Sequence, residues 1–201
     1  MPYRFEFRDD NEDHLFSCIL QQKQCIGHLQ NNPALRRCKR KSVLGSPMCF
    51  QHLESLKHLK IKPSLIPNGG KGLFAFTKTA LGNAIIFKKG ENIIEYQGEI
   101  LSRPQLENRY GDKTAPYGAE LKEGVYIDAA GYRSIGAFAN APNVARQANA
   151  KLITVYNTTP QQIKIKAIRN ILNGQEILID YGKEYRFDEE GVTHSTKYVR
   201  P

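Results

Sequence analysis

Short runs of apolar and β-branched residues, separated by turn-forming residues, limit the fold of this chain more than any other feature. The runs are four or five residues long and lie at 84–87, 92–96, 117–121, 125–129, 153–156, 163–167 and 177–180. Such lengths are typical of strands. Only residues 103–110 and the stretch after His52, with leucines at helical spacing, favour short helices. The pattern predicts a mostly β fold with short helices.

The last of these runs belongs to a distinctive segment, residues 173–182. Asn173-Gly174 is a tight-turn dipeptide, because both residues tolerate positive φ. Residues 177–180 are apolar on both faces except at Asp180, as in a short strand that is buried from two sides. The strand then stops at Tyr181-Gly182. Taken alone, the segment predicts a core strand with a tyrosine at its rim.

All four cysteines lie between residues 18 and 49. In an intracellular protein such clustering indicates metal binding before disulfides. A short C-x-x-H turn supplies two zinc ligands from one loop, and the full set that we predict is Cys25, Cys38, Cys49 and His52. Cys18 and His28 remain alternative ligands, and reduced cysteines without a metal are the non-functional alternative. A zinc ion with four protein ligands would be structural, stapling a segment too small for its own core.

The charge of the chain favours acidic partners. The formal net charge is +9, and the basic residues are densest in the run 36–41. We expect this run to be a nuclear-import or phosphate-binding patch with weak nucleic-acid contact, or else a solvated loop. No run approaches the about 18 apolar residues of a membrane span, and the N-terminus lacks the apolar core of a signal peptide. We therefore expect an intracellular protein without membrane contact, nuclear or cytoplasmic, with the nucleus favoured.

A glycine-rich loop at 68–72 precedes the short strand 73–76. Glycines let the backbone approach a ligand closely, but an ordinary hairpin turn is the simpler interpretation. The loop has neither the spacing of a dinucleotide-binding fingerprint nor that of a P-loop.

Several segments together, in order over residues 61–185, resemble a SET domain, the fold of one class of protein-lysine methyltransferases. The loop 70–75 is similar to G-x-G-(L/V)-x-A, and 95–99 to E-Y-x-G-E. Residues 127–129 match I-D-A, 138–140 stand where the family has R-F-x-N-H-S, and 149–150 where it has P-N-(A/C). Residues 174–182 are similar to G-(E/Q)-E-(L/I)-x-x-D-Y-G. The resemblance implies the β-clip SET fold with a C-terminal pseudoknot, here preceded by a small Cys3His zinc-type module.

Two residues depart from the family pattern. Ala137 replaces the usual arginine and Ala141 the histidine. No cysteine follows Tyr181, so the tail, with Tyr185, Phe187 and Tyr198, would have to close the lysine channel in place of a zinc-binding segment.

The resemblance implies methyl transfer from S-adenosylmethionine to a lysine amine of a protein substrate, a histone by family analogy. Tyr181 would orient the methyl group and the amine as the catalytic residue. The other implied site residues are Gly70, Lys71, Gly72, Tyr117, Asn140, Ala141 and Tyr181 for the cofactor, and Tyr96 and Ile179 for the substrate. The alternative is an inactive SET scaffold that binds a protein or a nucleic acid.

The predicted organisation has four parts. These are an N-terminal tail over 1–17, a Cys/His segment over 18–60, a SET domain over 61–185 and a C-terminal tail over 186–201.

Overall fold

A computed structural model describes residues 2–9, 11–43, 46–67, 69–111, 113–132, 134–142, 147–181 and 192–198. It contains two short α-helices and many short strands. The helices are α1 (Phe50–Lys57) and α2 (Arg103–Tyr110). The strands are β1 (Pro2–Asp9), β2 (His14–Gln21), β3 (Leu59–Pro63), β4 (Lys71–Ala75), β5 (Ile85–Phe87), β6 (Asn92–Tyr96), β7 (Glu99–Ser102), β8 (Gly118–Lys122), β9 (Val125–Asp128), β10 (Ala150–Val155), β11 (Gln162–Ala167), β12 (Ile171–Leu172), β13 (Ile179–Asp180) and β14 (Val192–Tyr198). The prediction of a mostly β fold with short helices is confirmed.

The strands form several small sheets. Their orders are β14-β1-β2, β13-β10-β11-β6, β12-β5, β3-β4 and β7-β9-β8. All neighbouring pairs are antiparallel except β10 and β13, which are parallel. The runs predicted as strands at 153–156 and 163–167 lie in β10 and β11, which pair from Ala150↔Ala167 to Val155↔Gln162.

The helix predicted at 103–110 is confirmed as α2. Ser102 is its N-cap: the Ser102 side chain accepts a hydrogen bond from the backbone N–H of Gln105, and the Gln105 side chain accepts one from the backbone N–H of Ser102. This reciprocal capping box satisfies two backbone donors that the first turn would leave unpaired.

The glycine loop is the turn of the β3–β4 hairpin, as the simpler interpretation predicted. Leu59 pairs with Ala75 at one end of the hairpin and Pro63 with Lys71 at the other. Gly70 has a φ of 60°, a left-handed value that glycine adopts without a side-chain clash. The loop therefore turns the chain at a fixed point beside β4.

The strand predicted at 177–180 is shorter than expected, because only β13 forms a regular ladder. Before it, Glu176 makes an isolated bridge to Phe74, and Leu178 makes one to Asn140. Residues 176–180 thus pass between β4, the segment at Asn140 and β10. This threading fits the C-terminal pseudoknot that the SET resemblance implies. Ile177 and Ile179, which share one face, are fully buried, whereas on the other face Leu178 is half-buried and Asp180 is exposed, so the expected burial from two sides is only partly met.

The prediction of a partly ordered tail over residues 1–17 is wrong. β1 and β2 form an antiparallel hairpin, and β14 pairs with β1 on the other side. The apolar residues alternate along β1, so that Phe5 and Phe7 lie on one face, where they pack with Tyr110 and Tyr117. The expected boundary at 17/18 therefore falls inside β2, the one at 60/61 falls inside β3, and the C-terminal tail contributes a strand.

Some predictions fall outside the described residues. Tyr185, Phe187 and Gly182 are among them, and Tyr198 is described only as part of the backbone of β14. Within the described part of the chain, no helix combines the length and the apolar character needed to cross a membrane.

Candidate functional site

Tyr181 lies directly after β13, on the segment that the fold threads through the domain. Its hydroxyl donates a hydrogen bond to the carbonyl oxygen of Ala139 at 3.0 Å. The ring is half-buried and packs against the main hydrophobic cluster. The phenol is therefore held at both ends, by packing and by a hydrogen bond, at the rim of the core.

Asn140 follows the residue that binds the Tyr181 hydroxyl and connects two further segments. Its side-chain Nδ2 donates to the carbonyl oxygens of Gly69 at 3.1 Å and Lys71 at 3.2 Å. Its own carbonyl oxygen accepts from the backbone N–H of Ile179 at 2.9 Å. The glycine loop, the asparagine segment and the tyrosine strand, which the sequence places far apart, thus meet at Asn140.

The predicted site residues next to this junction differ in their burial. Ala141, next to Asn140, is buried, and the side chain of Ile179 is fully buried in the main cluster. Ala137 is half-buried and packs against a smaller cluster around Tyr96. Of the two positions that depart from the family pattern, Ala141 is therefore buried and Ala137 packs against apolar residues.

Tyr96 and Tyr117 are joined by a hydrogen bond. The Tyr96 hydroxyl donates to the Tyr117 carbonyl oxygen at 2.8 Å, and the backbone N–H of Ala129 donates to the same oxygen at 3.0 Å. The Tyr117 ring contacts Phe7 of the N-terminal hairpin, with ring centroids 6.2 Å apart and the planes perpendicular. The hairpin thus packs against Tyr117, one of the two tyrosines.

Two polar residues of this region were not predicted as site residues, Glu176 and Asn149. Glu176 is buried and accepts hydrogen bonds from the Ser64 hydroxyl at 2.6 Å and the Leu65 N–H at 2.8 Å. The Asn149 side chain donates to the Glu176 carbonyl oxygen at 2.7 Å and accepts from the Leu178 N–H at 2.9 Å. Both lie within quoted motifs, which was the available signal, but their partners are distant in sequence.

The predicted metal ligands form a second group of polar side chains. The ligand atoms of Cys25, Cys38, Cys49 and His52 all lie within 4.8 Å of one another, and all four residues are buried. His52 Nδ1 lies 3.3 Å from the Sγ atoms of both Cys25 and Cys49. Three sulfurs and one imidazole nitrogen are a donor set that zinc accepts in tetrahedral structural sites.

The surroundings of His52 orient its ring. Nε2 lies 2.6 Å from the carbonyl oxygen of His28, an arrangement in which Nε2–H donates and Nδ1 faces the thiols. A Cβ at Gly27 would collide with the His52 ring, so this position requires a glycine. A hydrogen bond on the second nitrogen is the usual way in which proteins fix the tautomer of a metal-binding histidine.

Backbone donors and burial act on the thiols. The N–H groups of Gly27 and Cys49 point at the Cys25 sulfur, at 3.4 and 3.2 Å. Hydrogen bonding from the backbone of Arg40 lowers the pKa of Cys38, whereas burial raises the pKa of Cys49. Donors of this kind favour the thiolate form, which is the form that binds metals.

Neither Cys18 nor His28, the two alternative ligands, is among the four clustered ligands. Cys18 is on β2, and its thiol contacts the Ala130 carbonyl oxygen at 3.3 Å, while His28 contributes its carbonyl oxygen. Arg37 of the basic run donates through Nε to the Cys25 carbonyl oxygen and through Nη2 to that of Gln24. One member of the run therefore braces the cluster.

Comparison with known proteins gives a consistent family. Residues 83–182 match the family model described as the SET domain. The histone-lysine N-methyltransferase EZH2 of Chaetomium thermophilum is 31% identical over 126 residues, which are 58% of this chain and 8% of that protein.

Solved structures give the same picture. The crystal structure of the Chaetomium thermophilum polycomb repressive complex 2 contains a chain with 29% identity and a TM-score of 0.52, over 65% of this chain and 16% of that one. The autoinhibited complex bound to S-adenosylmethionine has 29% identity and a TM-score of 0.51, over 64% and 16%. This chain therefore spans less than a fifth of the length of these relatives.

Proposed function

This chain belongs to the SET-domain family, and on that premise we propose that it is an S-adenosylmethionine-dependent protein-lysine methyltransferase. The observation that carries the proposal is the junction at Asn140, where the glycine loop and the tyrosine strand meet. A transfer between two bound groups depends on their alignment, so a rigid junction of this kind suits the reaction.

The glycine loop supports the proposal, because part of its backbone is open to a ligand. A Cβ at Gly70 would meet no atom within 4 Å, so this part of the backbone faces open space. Gly70 and Lys71 are exposed and offer backbone groups, whereas Gly72 faces the Glu176 carboxylate. When bound, S-adenosylmethionine supplies an electrophilic methyl group. In the proposal, Gly70, Lys71 and Asn140 hold it, with Ala141 and Tyr117 as further wall residues.

Tyr181 acts in the proposal as the group that orients the lysine amine. A phenol oxygen both donates and accepts, so a hydroxyl that donates to Ala139 retains the capacity to accept from an amine. The carbonyl oxygen of Ala139 adds a partial negative charge beside it. Such fixed dipoles stabilise a cationic centre without having to reorganise during the reaction.

The attacking lysine must be neutral. A free lysine side chain has a pKa of about 10.4, and an apolar, desolvated environment lowers it. Tyr96 is buried, and its neighbours Leu121, Ile127 and Ile163 are apolar. We propose that Tyr96 lines the channel in which the amine loses its proton, with Ile179 behind the reacting groups.

We also propose that the Cys/His cluster holds one structural zinc ion. The donor set fits zinc, and four protein ligands fill its coordination sphere. Cys25, Cys38 and Cys49 pack in the main hydrophobic cluster, so the metal would tie the irregular segment that carries them to the core.

A histone is the substrate that we propose, with the nucleus as the location, because the EZH2 relative is a histone-lysine methyltransferase. Nucleic-acid contact through residues 36–41 stays a secondary proposal. This chain matches only a part of those relatives, so the complex named with them is not carried over to it.

A non-catalytic SET scaffold is the second candidate, and the two hydrogen bonds of the Asn140 side-chain amide favour it. Nδ2 of Asn140 has only two hydrogens, and the carbonyl oxygens of Gly69 and Lys71 already accept from it. This leaves the asparagine as an internal brace and not as a donor to a cofactor. Ala137 and Ala141 point the same way.

Two measurements separate the candidates. Calorimetry tests binding of S-adenosylmethionine, and transfer of a radiolabelled methyl group tests activity on histones and on cell-extract proteins, with the modified residue mapped by mass spectrometry. We expect saturable binding and label on a lysine. No binding at millimolar cofactor would reject the enzyme and leave the scaffold.

A further inference from the structure

Glu176 is a buried carboxylate that the proposed mechanism does not use. Glu176 is 5% exposed, and it lies five residues before Tyr181, where the chain pairs with Phe74 of β4. A buried carboxylate is costly unless its oxygens are hydrogen-bonded. Its partners therefore indicate what it does.

Both carboxylate oxygens bind the turn that follows β3. The Ser64 hydroxyl donates to Oε1 at 2.6 Å, and the Leu65 backbone N–H donates to Oε2 at 2.8 Å. Ser64 in turn accepts from the Ile66 N–H at 3.0 Å, and its backbone N–H donates to the Gly70 carbonyl oxygen at 2.9 Å. The carboxylate thus holds Ser64 and Leu65, which lead into the glycine loop, through charge-assisted hydrogen bonds.

The same carboxylate also lies against Gly72, at the end of the glycine loop. A Cβ at Gly72 would collide with Oε1 of Glu176, so a larger residue there would displace the carboxylate. Asn140 Nδ2 lies 3.4 Å from Oε1, while it donates at shorter distances to Gly69 and Lys71. Glu176 therefore contacts the residues before the glycine loop, Gly72 at the end of the loop, and the asparagine that binds Gly69 and Lys71.

We propose that Glu176 is a positioning residue that sets the conformation of the glycine loop and the amide of Asn140, with Ser64 as its partner. This role rests on the proposed function, because the loop is the surface offered to the cofactor. Glu176 acts through the loop and does not touch the reacting atoms. Ser64 lies outside the segment that matches the SET family model, so the contact joins that segment to residues before it.

Two substitutions test this role. Glu176→Gln keeps the shape but replaces one acceptor oxygen by a donor NH2 group, so the Ser64 hydroxyl and the Leu65 N–H cannot both donate to the side chain as they do now. Ser64→Ala removes one hydrogen bond and leaves the carboxylate, and it serves if Glu176→Gln does not fold. Glu120→Gln, at an exposed position of β8, is the matched control.

The first measurement is amide hydrogen exchange followed by mass spectrometry, which needs no cofactor. We expect exchange in residues 64–72 to become at least tenfold faster in Glu176→Gln, while β10 and β11 stay protected as in the unchanged protein. Unchanged exchange in the loop would overturn the role. A uniform increase that includes β10 and β11 would also overturn it, because it would indicate general destabilisation.

The second measurement is calorimetry with S-adenosylmethionine, followed by steady-state kinetics. We expect the Kd for the cofactor to rise at least tenfold and the KM for a lysine peptide to stay within threefold, a split that loss of folded protein does not produce. Equal cofactor affinity in Glu176→Gln and the unchanged protein would contradict the proposal. If the unchanged protein binds no cofactor, the proposed function fails, and hydrogen exchange alone decides whether Glu176 positions the loop.

Discussion

The hydroxyl of Tyr181 donates a hydrogen bond to the carbonyl oxygen of Ala139 at 3.0 Å, which ties the residue after β13 to the residue before Asn140. The contact spans 42 positions in sequence. It gives the tyrosine a fixed orientation next to the junction of the glycine loop and the asparagine segment. Five consequences of this arrangement and its surroundings, including the role of Glu176, are open to experiment.

Tyr181→Phe removes the hydroxyl and retains the ring. We expect methyl transfer to fall by about 100-fold or more, the size of effect seen when one preorganised polar group is removed from an active site. Stability should fall by only about 0.5–1.5 kcal/mol, the usual contribution of one hydrogen bond. Transfer assays and urea unfolding measure the two effects. Tyr156→Phe, at a position that is 68% exposed, is the control, and equal rates for both variants would show that Tyr181 is not the catalytic tyrosine.

Metal analysis of the purified protein tests the Cys/His cluster. We expect about one zinc ion per chain, because four ligands fill one tetrahedral site. His52→Ala should lose the metal, whereas Cys18→Ser should retain it, since the Cys18 thiol contacts the Ala130 carbonyl oxygen and is not one of the four clustered ligands. Loss of zinc from Cys18→Ser would contradict the proposed ligand set.

Phe7→Ala tests the N-terminal hairpin. Phe7 is fully buried and contacts the rings of Phe16, Tyr110 and Tyr117. Truncating such a residue leaves a cavity, and we expect a loss of about 3–5 kcal/mol in the free energy of unfolding. Phe50→Ala removes a ring that is 59% exposed and should cost far less. Denaturant unfolding compares the two, and similar costs would mean that the hairpin is not packed on the domain.

Tyr110 makes stability depend on alkaline pH. Burial first, and then the charge and hydrogen bond of Asp128, raise the pKa of Tyr110 in the folded protein. Its unfolded pKa is about 10, so above this pH the unfolded state loses the proton while the folded state keeps it. The contribution is therefore fully present below about pH 10 and declines as the pH rises further.

Tyr110→Phe should remove this decline. The variant also loses the 3.0 Å hydrogen bond to the buried Asp128, which we expect to cost about 1.5–3 kcal/mol at neutral pH. Urea unfolding of both proteins from pH 7 to pH 11 gives the difference in stability, and that difference should shrink above pH 10. A constant difference across the range would show that Tyr110 ionises alike in both states.

Much of the fold could be predicted from local patterns. The strands at 153–156 and 163–167, the helix at 103–110 and the turn at Gly174 each depend on neighbouring residues, and each prediction is confirmed. The N-terminal hairpin was predicted as a tail because its charged residues outweigh its short apolar stripe. That stripe is stable only against Tyr110 and Tyr117, which lie about a hundred residues later.

The site shows the same division. The residue types of the Cys/His cluster and the motif around Tyr181 were visible in the sequence, whereas the roles assigned to them remain predictions. The partner of His52 Nε2 is the backbone carbonyl oxygen of His28. It could not be predicted from the sequence, because every residue has such a carbonyl group. Asn149 was visible as part of a motif, but its side-chain hydrogen bonds to Glu176 and Leu178 could not be predicted from the sequence.

By itself the sequence determined the short strands, the turns and the family, because periodicity, turn residues and ordered motifs act over a few neighbouring positions. Only the tertiary structure decided which of these segments meet. Ser64 and Glu176 are 112 positions apart, and their 2.6 Å hydrogen bond exists because the chain at Glu176 pairs with Phe74 of β4. A contact of that kind depends on how the whole chain packs, and no local pattern specifies it.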